Sequence, residues 1–347
     1  MNSKPITAHI YKLACAALAG CLLLAACAPS VPDNPAGATP EGQGQAAPIE
    51  NELPPQPTRP VYAPGELVDY TAQMGDTLPA LASHFNTTVE EIMAANPIIP
   101  TDATTMPPGL PMKIPIYYRP FWGSSYQILP DSLFVNGPQA VDFNAVEFVD
   151  TQPGWFKQYS FFLGGATRRG GELVNYIAEQ FSVSPRILLA VLEYLSGGLT
   201  QANLPETVDD FLLYRTDNDH RALALQLVQL ANTLNNGYYG WRTGALSEFS
   251  RQDSSLERPD PWQNAATVAL QFTFSQFLDN QAYYRAIHAD GIHRTYADLF
   301  GDPWAGSGVH IPGSLTQPAL LLPFPAGKTW AYTGGPHTGW GSGAPFA

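Results

Sequence analysis

Cysteine, charge and long apolar runs are scarce in most of this chain. The three cysteines all lie within the first 27 residues, so the remaining 320 or so residues form no disulfide bonds and rely on their core. Charged residues make up 14% of the sequence, against roughly 25% in an average soluble domain. The formal net charge of −13 gives no general attraction to phosphate backbones, which excludes nucleic acid as a partner. No run after residue 27 approaches the 20 or so apolar residues that span a bilayer.

The N-terminus has the pattern of an export signal over residues 1–26. Lys4 and Lys12 precede an apolar stretch at residues 13–26, which is too short for a comfortable membrane span. The stretch ends in Leu24-Ala25-Ala26-Cys27, which resembles the cleavage box of bacterial lipoproteins. The resemblance implies lipidation of Cys27 and a membrane anchor in the cell envelope. The alternative is a plain secretory signal in which Cys27 is incidental. Residues 27–65 are rich in proline, alanine, glycine and glutamine, which predicts a disordered tether.

Residues 66–117 have the pattern strand, helix, helix, strand. Alternating residues at 67–71 indicate the first strand, and apolar positions at helical spacing predict helices over 78–85 and about 88–95. Pro97 ends the second helix, because a proline disfavours helical geometry in the residue before it. A last strand is predicted at 110–116.

This module resembles a LysM domain, a family that binds glycans containing N-acetylglucosamine, chiefly peptidoglycan and chitin. The matching residues are Tyr70, Gly75-Asp76-Thr77-Leu78, Leu81-Ala82, Phe85, Ile92, Ala95-Asn96, Gly109-Leu110 and Ile114-Pro115. The resemblance implies a small βααβ fold with a groove between the turn before the first helix and the loop after the second. One wall would be Gly75, Asp76, Thr77 and Leu78, and the other Asn96, Pro97, Ile98 and Ile99. The alternative is that Asp76 and Thr77 cap a helix, a role compatible with binding.

After an irregular connector at 118–159, residues 160–305 are predicted to form an all-α domain. Helices are expected at 171–181, 185–196, 219–236, 264–280 and 294–300, with Gly237 closing the third. Glu193 is the only charge within a nine-residue run of apolar and aromatic side chains. If it is buried, desolvation would raise its pKa and suit it as a general acid for glycosidic bonds.

The segment Leu-Glu-Tyr-Leu-Ser-Gly around Glu193 resembles the Glu-Ser-Gly stretch of lytic transglycosylases and related lysozyme-like enzymes. The resemblance implies a lysozyme-like helical domain with Glu193 as a catalytic acid. The alternative is a structural acid held by hydrogen bonds.

Residues 306–347 are rich in glycine and proline and are predicted to form a partial β segment, which resembles the opening of a lysostaphin-type zinc endopeptidase domain. His337 matches that family's first metal ligand, but no later Asp and no His-x-His follow. Catalytic zinc needs three protein ligands, so we expect no cofactor in this chain, with zinc only if a longer form completes the site. A truncated reading frame is expected, with a degenerate remnant as the alternative.

Together these patterns predict a multidomain cell-envelope lipoprotein that binds peptidoglycan or a chitin-like glycan. It would belong to a cell-wall-remodelling, peptidase-related family while lacking a complete zinc site. The alternative is a muralytic glycosidase that uses Glu193 as its general acid.

Overall fold

The fold is described from a computed structural model, over residues 59–103, 105–204, 222–306 and 327–329. The predicted signal, Cys27, most of the tether, most of the predicted C-terminal β segment and His337 lie outside these ranges. Within the ranges, no helix is both long and apolar enough to cross a membrane.

The first part of the described chain has the predicted order of two strands and two helices. Strand β1 (Glu66–Thr71) pairs antiparallel with β2 (Pro111–Ile116), with Tyr70 opposite Met112. Between them lie α1 (Leu78–Phe85) and α2 (Val89–Ala95). The predicted βααβ arrangement is therefore confirmed.

Local side-chain bonds explain where these two helices begin. The Thr77 hydroxyl accepts the backbone N–H of Ala80 at 3.3 Å, and this cap starts α1. Thr88 and Glu91 form a reciprocal capping box at the start of α2. The helices then cover the sheet with a small separate core that includes Phe85 and Ile92, both fully buried.

The rest of the described chain is mainly helical and surrounds a second, larger core. Its helices are α3 (Ala145–Thr151), α4 (Gly170–Phe181), α5 (Pro185–Ser196), α6 (Leu223–Arg242), α7 (Ala265–Ser275), α8 (Asn280–Ile287) and α9 (Arg294–Phe300). Helices α4, α5 and α9 match their predicted bounds to within one residue. Gly197 caps the end of helix α5, and its φ of +63° is the left-handed conformation typical of a helix C-terminus.

The predicted end of α6 at Gly237 is wrong, because the helix continues to Arg242. Gly237 lies where α6 crosses α7, and a Cβ at this position would be 2.8 Å from the Cα of Ala269. The glycine thus permits close helix packing in the middle of α6. The prediction of a single helix over 264–280 is also wrong. Helix α7 ends at Ser275, and Asp279 caps the separate helix α8 by accepting the N–H of Ala282 at 2.8 Å.

The stretch predicted to be all-α also contains two short hairpins, so that prediction needs correction. Strand β3 (Ser160–Leu163) pairs with β4 (Ala166–Arg169), and β5 (Phe249–Ser250) pairs with β6 (Leu256–Glu257). Gly164 and Gly165 both have positive φ, at +59° and +81°, which is the requirement of the tight turn between β3 and β4. The region is therefore helical with small sheets.

Candidate functional site

Two neighbouring cavities lie between the turn before α1 and the loop after α2. The first, of about 250 Å³, is lined by residues of the loop, including Ile98, Ile99 and Met106. The second, of about 490 Å³, is lined by Thr77 and Leu78 from the turn and by residues of α2 and the loop. Ala103 lines both cavities, so they are adjacent, and we call the two together the groove.

Four of the eight predicted wall residues line the groove. Thr77, Leu78, Ile98 and Ile99 line it, and Ile98 is 78% exposed at its edge. Pro97 is exposed but lines neither cavity.

Asp76 holds the turn from inside. Its carboxylate accepts the Tyr70 hydroxyl and the backbone N–H of Gln73, both at 2.7 Å. Burial raises the pKa of Asp76, although the hydrogen bonds from Tyr70 and Gln73 act in the opposite direction. Both bonds go to Oδ2, so Asp76 holds the turn in place, and its role in glycan binding stays a prediction.

Asn96 fixes the opposite wall. Its side-chain N–H groups donate to the carbonyls of Ile92 and Lys113, each at 2.6 Å, and its side-chain oxygen accepts the N–H of Lys113 at 2.9 Å. The residue is buried, so these three bonds join the end of α2 to β2 in a protected setting. The loop that carries Ile98 and Ile99 therefore starts from a fixed point.

Two residues of the helical region complete the groove, and no sequence motif predicted them. Arg242 and Thr243, at the end of α6, line the second cavity. The Arg242 guanidinium lies against Gly75, where a Cβ would be only 1.3 Å from Nη2, and it donates to the Tyr238 hydroxyl at 2.9 Å. The one local signal was that Arg242 is the only charged residue of the 20-residue helix α6.

The end of α6 is held against α1 by a buried ring pair. His84 stacks on Trp241 with ring centroids 3.5 Å apart and planes 6° from parallel, and its Nε2 lies 2.9 Å from the Trp241 carbonyl oxygen. The Ser83 hydroxyl donates to the carbonyl of Gly244 at 2.8 Å. Burial lowers the pKa of His84 to about 4, so the ring is neutral near pH 7 and donates its Nε2 proton to the carbonyl.

A larger cleft of about 830 Å³ lies between β1 and the helical region. Tyr70 and Gln73 line one side, and Asp131, Trp262 and Trp304 line the other. Trp262 connects the two sides, because its indole N–H donates to the Asp69 carbonyl at 3.0 Å and its ring packs edge-on against Phe85.

The Asp131 carboxylate in this cleft accepts hydrogen bonds from the start of α7. It accepts the backbone N–H of Ala266 at 2.7 Å and the side-chain amide of Asn264 at 2.9 Å. Burial raises the pKa of Asp131. The carboxylate thus fixes the start of α7 to the segment before α3.

Glu193 is half-buried in the last turn of α5. Its carboxylate accepts the N–H groups of Leu199 at 2.7 Å and Thr200 at 3.3 Å, together with the Thr200 hydroxyl. These bonds connect the end of α5 to the loop that follows, and Glu193 lines none of the three cavities described above. The contacts favour the structural alternative, and the catalytic role stays a prediction.

No cluster of three or more histidine, cysteine or acidic side chains suited to a metal occurs in the part of the chain that the structure describes. The predicted ligand His337 and the predicted lipid site Cys27 lie outside that part.

Comparison with known proteins finds two family models that match parts of the chain. A family model described as the LasA N-terminal domain matches residues 127–314, which is more than half of the chain. The chain belongs to this family. A LysM domain model matches residues 70–115, which include both walls of the groove. LysM domains bind peptidoglycan or chitin-like glycans, and together the two matches fit a cell-wall-related protein. No curated protein sequence and no solved structure matches the chain.

The groove therefore has contributions from both families. Thr77, Leu78, Ile98 and Ile99 come from the LysM domain, whereas Arg242 comes from the LasA-type domain. The His84–Trp241 stack crosses the same boundary.

Proposed function

We propose that this protein is a cell-envelope lipoprotein that binds peptidoglycan strands through the groove. The observation that carries the proposal is the second cavity, which both predicted LysM loops line and which shares Ala103 with the first cavity. The LasA-type domain supports a role in cell-wall remodelling. Cys27 would carry the lipid that anchors the protein in the membrane.

The lining of the groove suits a sugar chain. Exposed apolar side chains such as Ile98, Pro79 and Pro100 can pack against the C–H faces of pyranose rings. Thr77 and Thr101 supply hydroxyls for the polar substituents. Sites for small ligands combine a mostly apolar surface with a few polar groups and enclose about 300–1,000 Å³, a range that includes the second cavity.

Filling the groove tests the proposal directly. Ala103→Trp places a large ring where the two cavities meet, and Ala63→Trp puts the same ring on an exposed alanine that lines neither cavity. Purified full-length protein in detergent would be titrated with peptidoglycan sacculi and with chitin oligosaccharides. We expect Ala103→Trp to weaken binding at least tenfold and Ala63→Trp to leave it within twofold of wild type. Equal binding by both variants would contradict a glycan site in this groove.

The lipid anchor has a separate test. Cys27→Ala should abolish incorporation of labelled palmitate and release the protein from the membrane fraction. Cys21→Ala, within the apolar part of the signal, should leave both unchanged. Labelling that persists in Cys27→Ala would contradict lipidation at this residue.

A further inference from the structure

Among the described residues that line the two cavities of the groove, Arg242 is the only charged one. The other lining side chains are aliphatic, proline, methionine or threonine. The chain as a whole has 30 acidic residues against 17 Lys and Arg. A single cation among the described lining residues of an acidic protein suits a ligand that carries negative charge.

The structure holds the Arg242 guanidinium in a defined position. Its Nη1 donates to the Tyr238 hydroxyl, and its Nη2 occupies the space that a side chain at position 75 would need. The residue lies one position after Trp241, whose ring is stacked on His84. Little side-chain freedom remains to be lost when a ligand binds, which favours affinity.

Arg242 forms no ion pair with any of the described residues. The nearby carboxylates are Asp76 and Asp131, and each accepts two hydrogen bonds from other groups. Arg242 influences both through space, since its charge lowers the pKa of each against the larger raising effect of burial. The guanidinium therefore keeps N–H donors for a ligand in the groove.

We propose that Arg242 makes the groove select glycans that carry a carboxylate over neutral ones, an inference that rests on the proposed function. Chitin oligosaccharides are uncharged. Peptidoglycan strands carry carboxylates, either the lactyl group of muramic acid or the acid groups of the stem peptide. A guanidinium binds a carboxylate through paired, charge-assisted hydrogen bonds. The LasA-type domain would thus supply the specificity of the LysM groove.

The test compares Arg242→Gln with Arg285→Gln, which removes the same charge from an exposed position on α8. Full-length proteins in detergent would be titrated with three ligands: chitin oligosaccharide, stem-free peptidoglycan strands and muropeptides bearing the stem. We expect Arg242→Gln to lose at least tenfold in affinity for a carboxylate-bearing ligand while its affinity for chitin oligosaccharide stays within twofold. Arg285→Gln should match wild type with all three.

The two peptidoglycan ligands separate the sources of the carboxylate. A loss on stem-free strands assigns the contact to the lactyl group, and a loss confined to muropeptides assigns it to the stem; either supports the proposal. Equal losses on all three ligands, or no loss on any, would overturn it. If wild type binds none of the three, the proposed function itself fails, and the inference fails with it.

Wild-type protein provides a readout that does not depend on a variant folding. Its preference for the carboxylate-bearing ligand should shrink at least fivefold between 50 and 500 mM salt, because screening weakens a partly exposed charge contact. Arg242→Lys should keep part of the preference. A preference that is constant with salt would overturn the proposal.

Discussion

Lowering the pH should loosen the contact between α1 and α6 through His84. The ring is 7% exposed, and burial lowers its pKa from 6.5 to about 4. Between these two values the unfolded chain binds a proton that the folded chain does not, so the free energy of unfolding falls as the pH decreases from about 6.5 to 4. The gap between the pKa values corresponds to about 3 kcal/mol lost over this range.

Two variants separate this effect from other titrations. His84→Phe keeps a ring for stacking on Trp241, and His84→Gln keeps a side-chain N–H for its carbonyl. Neither of them titrates. At pH 7.5 we expect each to lose about 1–2 kcal/mol, because one of the two contacts is missing.

Urea unfolding, followed by tryptophan fluorescence from pH 7.5 to 4, measures the difference between wild type and variants. Buried carboxyls such as Asp76, Asp131 and Glu257 have raised pKa values and act with the opposite sign, but they are common to all three proteins. We expect the variants to become as stable as wild type, or more so, near pH 4. Parallel pH profiles for the three proteins would refute the assignment of a neutral, buried His84.

Three further changes test other parts of the structure. Glu193→Gln should lower the free energy of unfolding by about 1–2 kcal/mol, since the N–H of Leu199 loses a charged acceptor. Muropeptide release by wild type but not by this variant would instead support a catalytic acid. Gly237→Ala should destabilise the protein by about 1–3 kcal/mol in thermal unfolding, although alanine is the better helix former, because its Cβ would meet the backbone of Ala269. Trp262→Ala should cost about 2 kcal/mol in urea unfolding and speed limited proteolysis between the two domains, and unchanged proteolysis would contradict its connecting role.

The sequence predicted best those elements whose signals are local. Thr77 and Thr88 cap α1 and α2 through residues only three positions away, so the caps are visible in a short window. The start of α5 at Pro185 and its end at Gly197 have the same property. Such features depend on backbone geometry within one turn, and distant packing did not change them.

Predictions failed where a distant element decided the outcome. Gly237 has the appearance of a helix end in the sequence, but in the fold it gives α7 room to pack against α6. The end of α7 at Ser275 depends on Asp279 starting a new helix, which a continuous apolar pattern conceals. Local propensity is a weak guide where tertiary contacts compensate for it.

Gly75 shows why only part of the groove could be predicted. Its φ of +81° suffices to explain a glycine in the turn before α1, so the LysM pattern accounts for the residue without any reference to the rest of the chain. The fold gives a second reason, because Arg242 occupies the space where a side chain would lie. That neighbour is brought in by contacts such as Ser83 to Gly244, which are 161 residues apart in the sequence. Because the turn alone explains Gly75, the LysM motif does not reveal that Arg242 lies against it. The contribution of Arg242 to the groove could therefore be predicted only from the packing of the two domains.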